Sequence, residues 1–327
     1  MNSLSNQTEP QIKETVDCLC CQSAEFEPVL GELRDTDGGE QLDEPFRSMT
    51  FQLVRCKSCR TVYLRERVTA DQIGRFYSHE YHCYKPFAER GAIMQFLAMR
   101  LAQSKIKAIQ SLLPKESNTV LDYGCGSGSW LELMKLARVP WHLIGSDIIE
   151  SQVEMVKKLG VEAFVADEHN IAEKLAGRKV GLVHMNHVIE HLPDPIGTLA
   201  KLREVLVPGG VIYGQTPNID SWDCRRFGKY WSQWHVPRHL VLYDPATLKL
   251  HAQKAGLDVI FVKSSLSSAT NWANSILKES AMKAGQPYGL SSHPLYPALT
   301  IALLPLAVAE SILGSTSNID FALQRRS

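Results

Sequence analysis

Residues 119–128 read Thr-Val-Leu-Asp-Tyr-Gly-Cys-Gly-Ser-Gly, and this stretch decides the fold. Its apolar start predicts a short buried strand, which Asp122 closes. Glycines follow at alternate positions, and apolar residues then recur at helical spacing from Trp130 to Ala137. Glycine tolerates positive φ and lets a ligand lie close to the backbone. The strand, the glycine turn and the helix together therefore predict a nucleotide-binding corner.

An acid after the next predicted strand supports this interpretation. Residues 141–147 read as a strand that ends in Asp147, which lies 19 residues after Gly128. A carboxylate at this place can accept hydrogen bonds from both ribose hydroxyls of a nucleoside. The dinucleotide form G-x-G-x-x-G needs its last glycine at position 129, which is serine here. The spacing therefore favours a nucleoside without a pyrophosphate.

The pattern D-x-G-x-G-x-G with its following acid resembles that of the class I S-adenosylmethionine-dependent methyltransferases. Downstream, HVIEHLPDP at 187–195 is similar to the HxxEHLxDP segment of many small-molecule methyltransferases. The run VPGGVIY at 207–213 resembles their turn before the fifth strand, and WHVPRHL at 234–240 resembles the loop that follows. The resemblance extends over residues 90–325.

This resemblance implies an α/β fold with a Rossmann-like sheet of seven strands, mostly parallel, whose last strand is antiparallel. The alternation of strand and helix patterns over 119–216 agrees, because such an order favours a parallel sheet with helices on both faces. Predicted strands at 257–262 and 318–323 would pair as an antiparallel hairpin at the edge. The implied cofactor is S-adenosylmethionine, and the residues placed to hold it are Asp122, Gly124, Cys125, Gly126, Gly128, Asp147, Ile148, Asp167 and Asn186.

Cysteines dominate the N-terminal part of the chain. CLCC at 18–21 and CKSC at 56–59 each contain a C-x-x-C knuckle, and two knuckles can complete a tetrahedral zinc site. The expected ligands of one structural zinc ion are Cys18, Cys21, Cys56 and Cys59. Cys20 could replace a neighbour, and buried or redox-active cysteines are the alternative. Acids crowd the segment 17–44 and would repel phosphate, so nucleic acid is not the expected partner.

This zinc-ribbon module, followed by an aromatic segment, resembles the N-terminal module of sugar C-methyltransferases and their uncharacterised relatives. In that group the aromatic segment reaches over the active site. Tyr77 and Tyr81 are therefore candidates for contact with the substrate, with core packing as the alternative.

Methyl transfer to carbon or oxygen needs a base. Enzymes that methylate planar amines carry N/D-P-P-Y/F after strand four, whereas this chain has Asn186-His187-Val-Ile there, so amine methylation is disfavoured. A carbon or hydroxyl nucleophile must lose a proton, which histidine can accept near neutral pH. His239 is the first candidate base, because it resembles the histidine at the matching place in sugar C-methyltransferases. Further candidates are His187, Glu190 and His191 for catalysis and Asn218 for substrate contact.

Two other functions remain open at this point. Glu190 and His191 resemble the E-H pair of methyltransferases in the ubiquinone pathway and at RNA ends, which implies a divalent cation and O-methylation of a quinone, lipid or RNA end. Those RNA enzymes carry a further acid where this chain has His187. The second alternative is a non-catalytic binding protein whose zinc module forms the interaction surface.

Composition and charge suggest the organisation of the chain. Hydrophobic residues make up 44% of it and the formal net charge is zero, as in an ordinary globular protein. We expect a disordered segment at 1–15, a zinc-binding and substrate-covering module at 16–90, and the Rossmann-like domain at 91–327. Eight cysteines and the absence of an apolar signal core favour the cytoplasm.

The uncharged stretch from 284 to 309 falls in a helical insertion predicted at about 267–315. Pro297 and Pro305 interrupt its apolar part, so we do not expect a transmembrane span. A packed cover or a dimer element is the first expectation. Peripheral membrane contact through 294–314 is the alternative.

Overall fold

The computed structural model describes residues 11–36, 42–77, 92–265, 268–286 and 293–326. The N-terminal part contains five strands: β1 Lys13–Thr15, β2 Phe26–Leu33, β3 Phe51–Cys56, β4 Val62–Leu64 and β5 Glu66–Val68. Helix α1 Ala92–Leu112 leads into the rest of the chain. Its elements are β6 Thr119–Tyr123, α2 Ser129–Leu136, β7 His142–Asp147, α3 Glu150–Lys158, β8 Glu162–Val165, α4 Ile171–Lys174, β9 Val180–Asn186, α5 Pro195–Val205, β10 Leu206–Pro217, α6 Trp222–Phe227, β11 Val241–Leu242, α7 Pro245–Lys254, β12 Leu257–Ser264, α8 Ser268–Lys283, α9 Tyr296–Ala302, α10 Leu304–Leu313 and β13 Asn318–Arg325.

The large sheet has seven strands in the order β12-β13-β10-β9-β6-β7-β8. The strands from β10 to β8 pair in parallel, and β13 runs antiparallel to both of its neighbours. Central strands are apolar on both faces because helices cover both, and Leu121, Val183 and Ile212 are fully buried. The predicted Rossmann-like sheet with an antiparallel last strand is confirmed.

Parallel pairing brings the carboxyl ends of four strands to one edge of the sheet. Strand β6 ends at the glycine corner, β7 at Asp147, β9 at Asn186 and β10 at Pro217. Ligands of such sheets bind outside this edge, where the chain leaves the strands. The sequence motifs that carry chemistry therefore lie together although they are far apart along the chain.

A second sheet, in the order β11-β4-β3-β2, joins the N-terminal part to the part that contains the large sheet. Strand β11 pairs antiparallel with β4, with Val241 opposite Tyr63 and Leu242 opposite Val62. The predicted division at residue 90 therefore does not separate two independent sheets. In addition, β1 pairs with β5, so the prediction of disorder over 1–15 is wrong for Lys13–Thr15.

The predicted helical insertion consists of α8, α9 and α10, which lie between β12 and β13. Helix α8 contacts the α6 region, whereas α9 buries none of its residues and α10 buries only Ala307 and Glu310. Among the described residues, no single helix combines the length and the apolar composition needed to cross a membrane. The bent pair α9–α10 meets both criteria only when its helices are taken together, with a bend of 48°.

Candidate active site

The glycine corner has the backbone geometry that its sequence predicts. Gly124, Gly126 and Gly128 have φ values of 72°, 51° and 77°. A Cβ atom at Gly124 would lie 2.6 Å from Val188 Cγ2, so only glycine fits there. A Cβ atom at Gly126 would meet nothing within 4 Å. The backbone at Gly126 therefore faces open space, in which a ligand can approach it.

Asp147 joins this corner to the end of β7. Its Oδ2 accepts a hydrogen bond from Gly126 N at 2.9 Å, and its Oδ1 accepts one from Ile149 N at 3.0 Å. Partial burial raises the pKa of Asp147, although these N–H groups oppose the shift. Each carboxylate oxygen can accept a further hydrogen bond. The neighbouring Ile148 is 72% exposed and offers an apolar surface to a ring.

Other predicted cofactor residues have mainly internal contacts. Asp122 is buried, and its Oδ1 lies 2.7 Å from His184 Nδ1, while the His184 ring stacks on Trp130 with centroids 3.9 Å apart. Asp167 Oδ1 accepts hydrogen bonds from His169 N and Asn170 N, next to the start of α4. Asp122 therefore supports the corner from beneath. Cys125 is buried, and Asn186 is exposed at the end of β9.

Histidines and one buried acid form a cluster at the ends of β9 and β10. His187, which has a φ of 55°, donates from Nδ1 to Glu190 Oε1 at 3.1 Å. Glu190 is fully buried, and its Oε2 accepts a hydrogen bond from Thr216 Oγ1 at 3.0 Å. His187 and Thr216 thus hold both carboxylate oxygens in place.

Main-chain carbonyl groups determine the tautomers of His191 and His239. His191 Nδ1 lies 3.0 Å from Arg238 O, and His239 Nδ1 lies 2.9 Å from Gln233 O. A carbonyl oxygen can only accept, so each ring must donate from Nδ1. When the rings are neutral, both Nε2 atoms carry a lone pair that can accept a proton or bind a cation.

Burial controls the charges of the cluster. Loss of solvation lowers the pKa of His191 to about 4, although the charge of Glu190 acts to raise it. Loss of solvation also lowers the pKa of His239 well below its usual range. Burial acts to raise the pKa of Glu190, but the hydrogen bond and charge of His187 reverse this effect and keep the pKa lowered. At neutral pH the cluster therefore contains an ionised acid and two neutral imidazoles. Glu190, His191 and His239 offer atoms that all lie within 4.8 Å of one another.

Contacts with the N-terminal part of the chain help to position this cluster. Arg238 Nη2 lies 2.7 Å from Asp35 Oδ1, with the two side chains 0% and 4% exposed. Arg238 Nη1 also donates to Phe76 O at 2.7 Å. The next residue, His239, is therefore positioned by a segment that lies about 200 residues earlier. Asp35 was not predicted as a site residue, because no local pattern in the sequence pairs it with Arg238.

The predicted substrate residues have different surroundings. Tyr77 Oη lies 3.2 Å from His191 Nδ1, so Tyr77 reaches the cluster. Tyr81 lies outside the described residues. Asn218 is buried, where it donates from Nδ2 to Thr316 O and accepts at Oδ1 from Asp220 N. Its amide therefore holds the loop after β10.

The four predicted zinc ligands converge. Cys18 Sγ lies 3.4 Å from Cys59 Sγ, and Cys21 Sγ lies 3.5 Å from Cys56 Sγ. All four sulfur atoms lie within 4.8 Å of one another, whereas Cys20 is buried outside this group. Tetrahedral ligation at the usual Zn–S distance of about 2.3 Å needs sulfur atoms about 3.8 Å apart. The cluster has the size of a zinc site.

Comparison with known proteins agrees with the fold. The family model described as "Methyltransferase domain" matches residues 96–262. The chain belongs to this family. It is an S-adenosylmethionine-dependent methyltransferase.

Curated relatives of this methyltransferase include the ubiquinone biosynthesis O-methyltransferases of two bacteria. The one from Cereibacter sphaeroides strain KD131 is 28% identical over 193 residues, which cover 56% of this chain and 77% of the relative. The one from Bordetella pertussis strain Tohama I is 29% identical over 150 residues, 42% of this chain and 61% of the relative. A solved S-adenosylmethionine-dependent methyltransferase from Archaeoglobus fulgidus has a TM-score of 0.44 at 19% identity, covering 69% of this chain and 94% of the other.

The residues of the corner fit S-adenosylmethionine. The open space at Gly126 admits a nucleoside, the free acceptor capacity of Asp147 suits ribose hydroxyls, and exposed Ile148 suits the adenine ring. When bound, the cofactor supplies a methyl group on a sulfonium. The chain itself must bind it, orient the acceptor and remove a proton.

We expect Asp147→Ala to weaken the binding of S-adenosylmethionine at least about 100-fold, because two hydrogen bonds to a charged acceptor are lost. Isothermal titration calorimetry measures the affinity. Glu154→Ala, an exposed acid on α3, is the matched control and should bind like the parent. Unchanged affinity in Asp147→Ala, or tighter binding of NAD than of S-adenosylmethionine by the parent, would contradict the assignment.

We also expect Asp35→Asn to lower the free energy of unfolding by about 3–5 kcal/mol, because it removes the carboxylate from a buried ion pair with the Arg238 guanidinium. Urea denaturation measures this. Glu14→Gln removes the acid from a more exposed ion pair with Arg67 and should cost about 0–1 kcal/mol. If both variants lose the same small amount of unfolding free energy, the ion pair between Asp35 and Arg238 does not hold the loop that carries His239.

Proposed function

We propose that this methyltransferase transfers a methyl group to an oxygen or carbon atom of a small, sugar-like acceptor, and that His239 removes the acceptor's proton. The observation that carries the proposal is the hydrogen bond from His239 Nδ1 to Gln233 O. It fixes the neutral tautomer and leaves Nε2 as the acceptor of a proton. The ring also lies in a cluster at the edge of the sheet where ligands bind.

Each residue of the cluster has a separate part in this reaction. The acceptor's O–H or C–H proton would move to His239 Nε2. The electron pair left behind would form the new bond to the methyl carbon, while the bond from that carbon to sulfur would break, its electron pair would go to sulfur, and the demethylated cofactor would leave. The ionised Glu190 carboxylate stabilises the imidazolium that forms. Tyr77 contacts His191 and closes the cluster from the N-terminal side. No N/D-P-P-Y/F motif stands after β9, which supports carbon or oxygen as the nucleophile.

A second candidate is O-methylation of a quinone-type acceptor assisted by a divalent cation. Glu190, His191 and His239 would hold the cation, which would bind the acceptor's oxygen and favour loss of its proton. Metal-binding histidines typically donate their other ring N–H to a carbonyl or carboxylate, as His191 and His239 do here. The relatives named as ubiquinone biosynthesis O-methyltransferases support the same candidate.

We expect His239→Ala to lower turnover by a factor of about 10²–10⁴ while the affinity for S-adenosylmethionine stays the same. The assay follows labelled methyl transfer from S-adenosylmethionine to a panel of sugar nucleotides and catechol-like quinols. His169→Ala, at a histidine that is 79% exposed and away from the cluster, is the control.

Two outcomes distinguish the candidates. If His239→Ala loses activity and the activity of the parent does not depend on added metal, the result supports His239 as the general base. If the activity of the parent disappears after mild EDTA treatment and returns with magnesium, while the zinc content is unchanged, the result supports O-methylation assisted by a divalent cation. Full turnover by His239→Ala contradicts both.

We further propose that Cys18, Cys21, Cys56 and Cys59 hold one structural zinc ion. The convergence of their sulfur atoms supports this. Because β4 pairs with β11, an ordered cysteine cluster also helps to fix the loop that carries His239.

Elemental analysis should find one zinc per chain. Cys56→Ser should abolish it, and hydrogen exchange should then increase over 16–77 and over 236–242, while the parallel strands stay protected. Cys224→Ser, at a buried cysteine outside the cluster, should keep the metal. Absence of zinc from protein purified without a chelator would contradict the proposal.

A further inference from the structure

Helices α9 and α10 expose an apolar surface that the described protein leaves uncovered. Helix α9 buries no side chain, and α10 buries only Ala307 and Glu310. The large apolar residues exposed here, which we call the α9–α10 surface, are Leu295, Ile301, Leu304, Val308, Ile312 and Leu313. Ile312 alone is 79% exposed. Single exposed apolar side chains are common, but a contiguous group marks an interaction site.

The α9–α10 surface covers a wide sector of the helices. At about 100° per residue, Leu304, Val308 and Ile312 follow one another along a stripe of α10, and Leu313 extends the exposed sector to about half of the circumference. Neither helix presents a charge on this surface. Their one formal charge, Glu310, is buried and accepts a hydrogen bond from Trp272 Nε1 at 2.9 Å.

Neither helix is long enough to cross a bilayer. The seven residues of α9 and the ten of α10 rise by about 10 Å and 15 Å, against a hydrocarbon thickness of about 30 Å. The bend of 48° between them shortens the pair further. Such a pair can lie along an interface with its apolar side immersed.

Cations border this surface on the adjoining elements. Helix α8 packs against α9, α10, α6 and the turn after α6. Ser315, which follows α10, donates from Oγ to Asp220 O next to α6, so the α6 region adjoins the end of α10. The exposed cations of these elements are Arg225, Arg226, Lys229 and Lys283. They outnumber the acids with which they pair, Asp220 and Glu279. An apolar surface with neighbouring positive charge is complementary to a bilayer that contains anionic headgroups.

We propose that the α9–α10 surface binds the surface of an anionic lipid bilayer. A second copy of the chain would use the same patch on both subunits across a two-fold axis, which would bring the cations of the two copies together. A bilayer does not create this repulsion, and its acyl chains can surround apolar side chains that cover about half of the helix circumference. The proposal concerns the surface alone and does not depend on the identity of the acceptor.

The bound bilayer would lie close to the catalytic part of the sheet. The insertion enters from β12 and returns into β13 at Asn318, which pairs with Pro217 at the carboxyl end of β10. Helix α8 also contacts the segment before His239, where Ser232 N donates to Ser275 Oγ at 3.0 Å. Contact with lipid would thus occur near the carboxyl edge of the sheet.

Flotation of the full chain with vesicles tests the proposal. The parent should bind vesicles of phosphatidylcholine and phosphatidylglycerol. The triple variant Ile301→Gln, Val308→Gln and Ile312→Gln should bind roughly 100-fold more weakly. Leu136→Gln with Ile260→Gln, at apolar residues exposed elsewhere, is the matched control and should bind like the parent. Lys229→Gln with Lys283→Gln should reduce binding only when the anionic lipid is present.

Three results would overturn the proposal. The first is a parent that does not float with either vesicle composition, and the second is a triple variant that binds as well as the control. The third is a parent dimer, found by light scattering, that the triple variant dissociates while neither protein binds vesicles, which would assign the surface to a second copy. An unchanged midpoint of thermal unfolding in the triple variant verifies that its loss of binding is not a loss of structure.

Discussion

The buried ion pair between Asp35 and Arg238 is the contact on which the arrangement of the site depends. Arg238 provides the carbonyl group that orients His191 and directly precedes His239. Both charged groups lie away from water, and their attraction offsets part of the cost of desolvation. Strand β11 continues the connection by pairing with β4. The N-terminal module is therefore one wall of the site and not an appended domain.

Main-chain carbonyl groups set the chemistry of His191 and His239. With Nδ1 bonded to carbonyl oxygens, both rings can present only Nε2 to a ligand. A general base and a metal ligand require the same anchoring, which is why both candidate functions use the same residues. The ionised Glu190 carboxylate serves either one, since it stabilises an imidazolium as well as a cation.

Asp122 and Asp147 have different surroundings, although both belong to the predicted cofactor residues. The place of Asp122 in the D-x-G-x-G-x-G pattern predicts a residue that holds the cofactor. In the structure its carboxylate is buried against His184, whose ring stacks on Trp130. Asp147, which has the same charge, ends its strand at an accessible position and keeps the capacity to bind ribose. The two residues are of the same type, and their different degrees of burial determine which carboxylate is accessible to a ligand.

The sequence by itself determined the features that depend on local spacing. Glycines at 124, 126 and 128 permit the positive φ of the turn, the alternation of strands and helices favours a parallel sheet, and two C-x-x-C knuckles place thiols on tight turns. Only the tertiary structure decided that β11 joins the N-terminal sheet, that Asp35 meets Arg238 across 203 positions, and that Glu190, His191 and His239 converge. These contacts join segments that are distant along the chain, and the local pattern of one segment carries no information about the other. The reason is that such a contact contributes free energy only after the fold has brought both partners together and removed them from water.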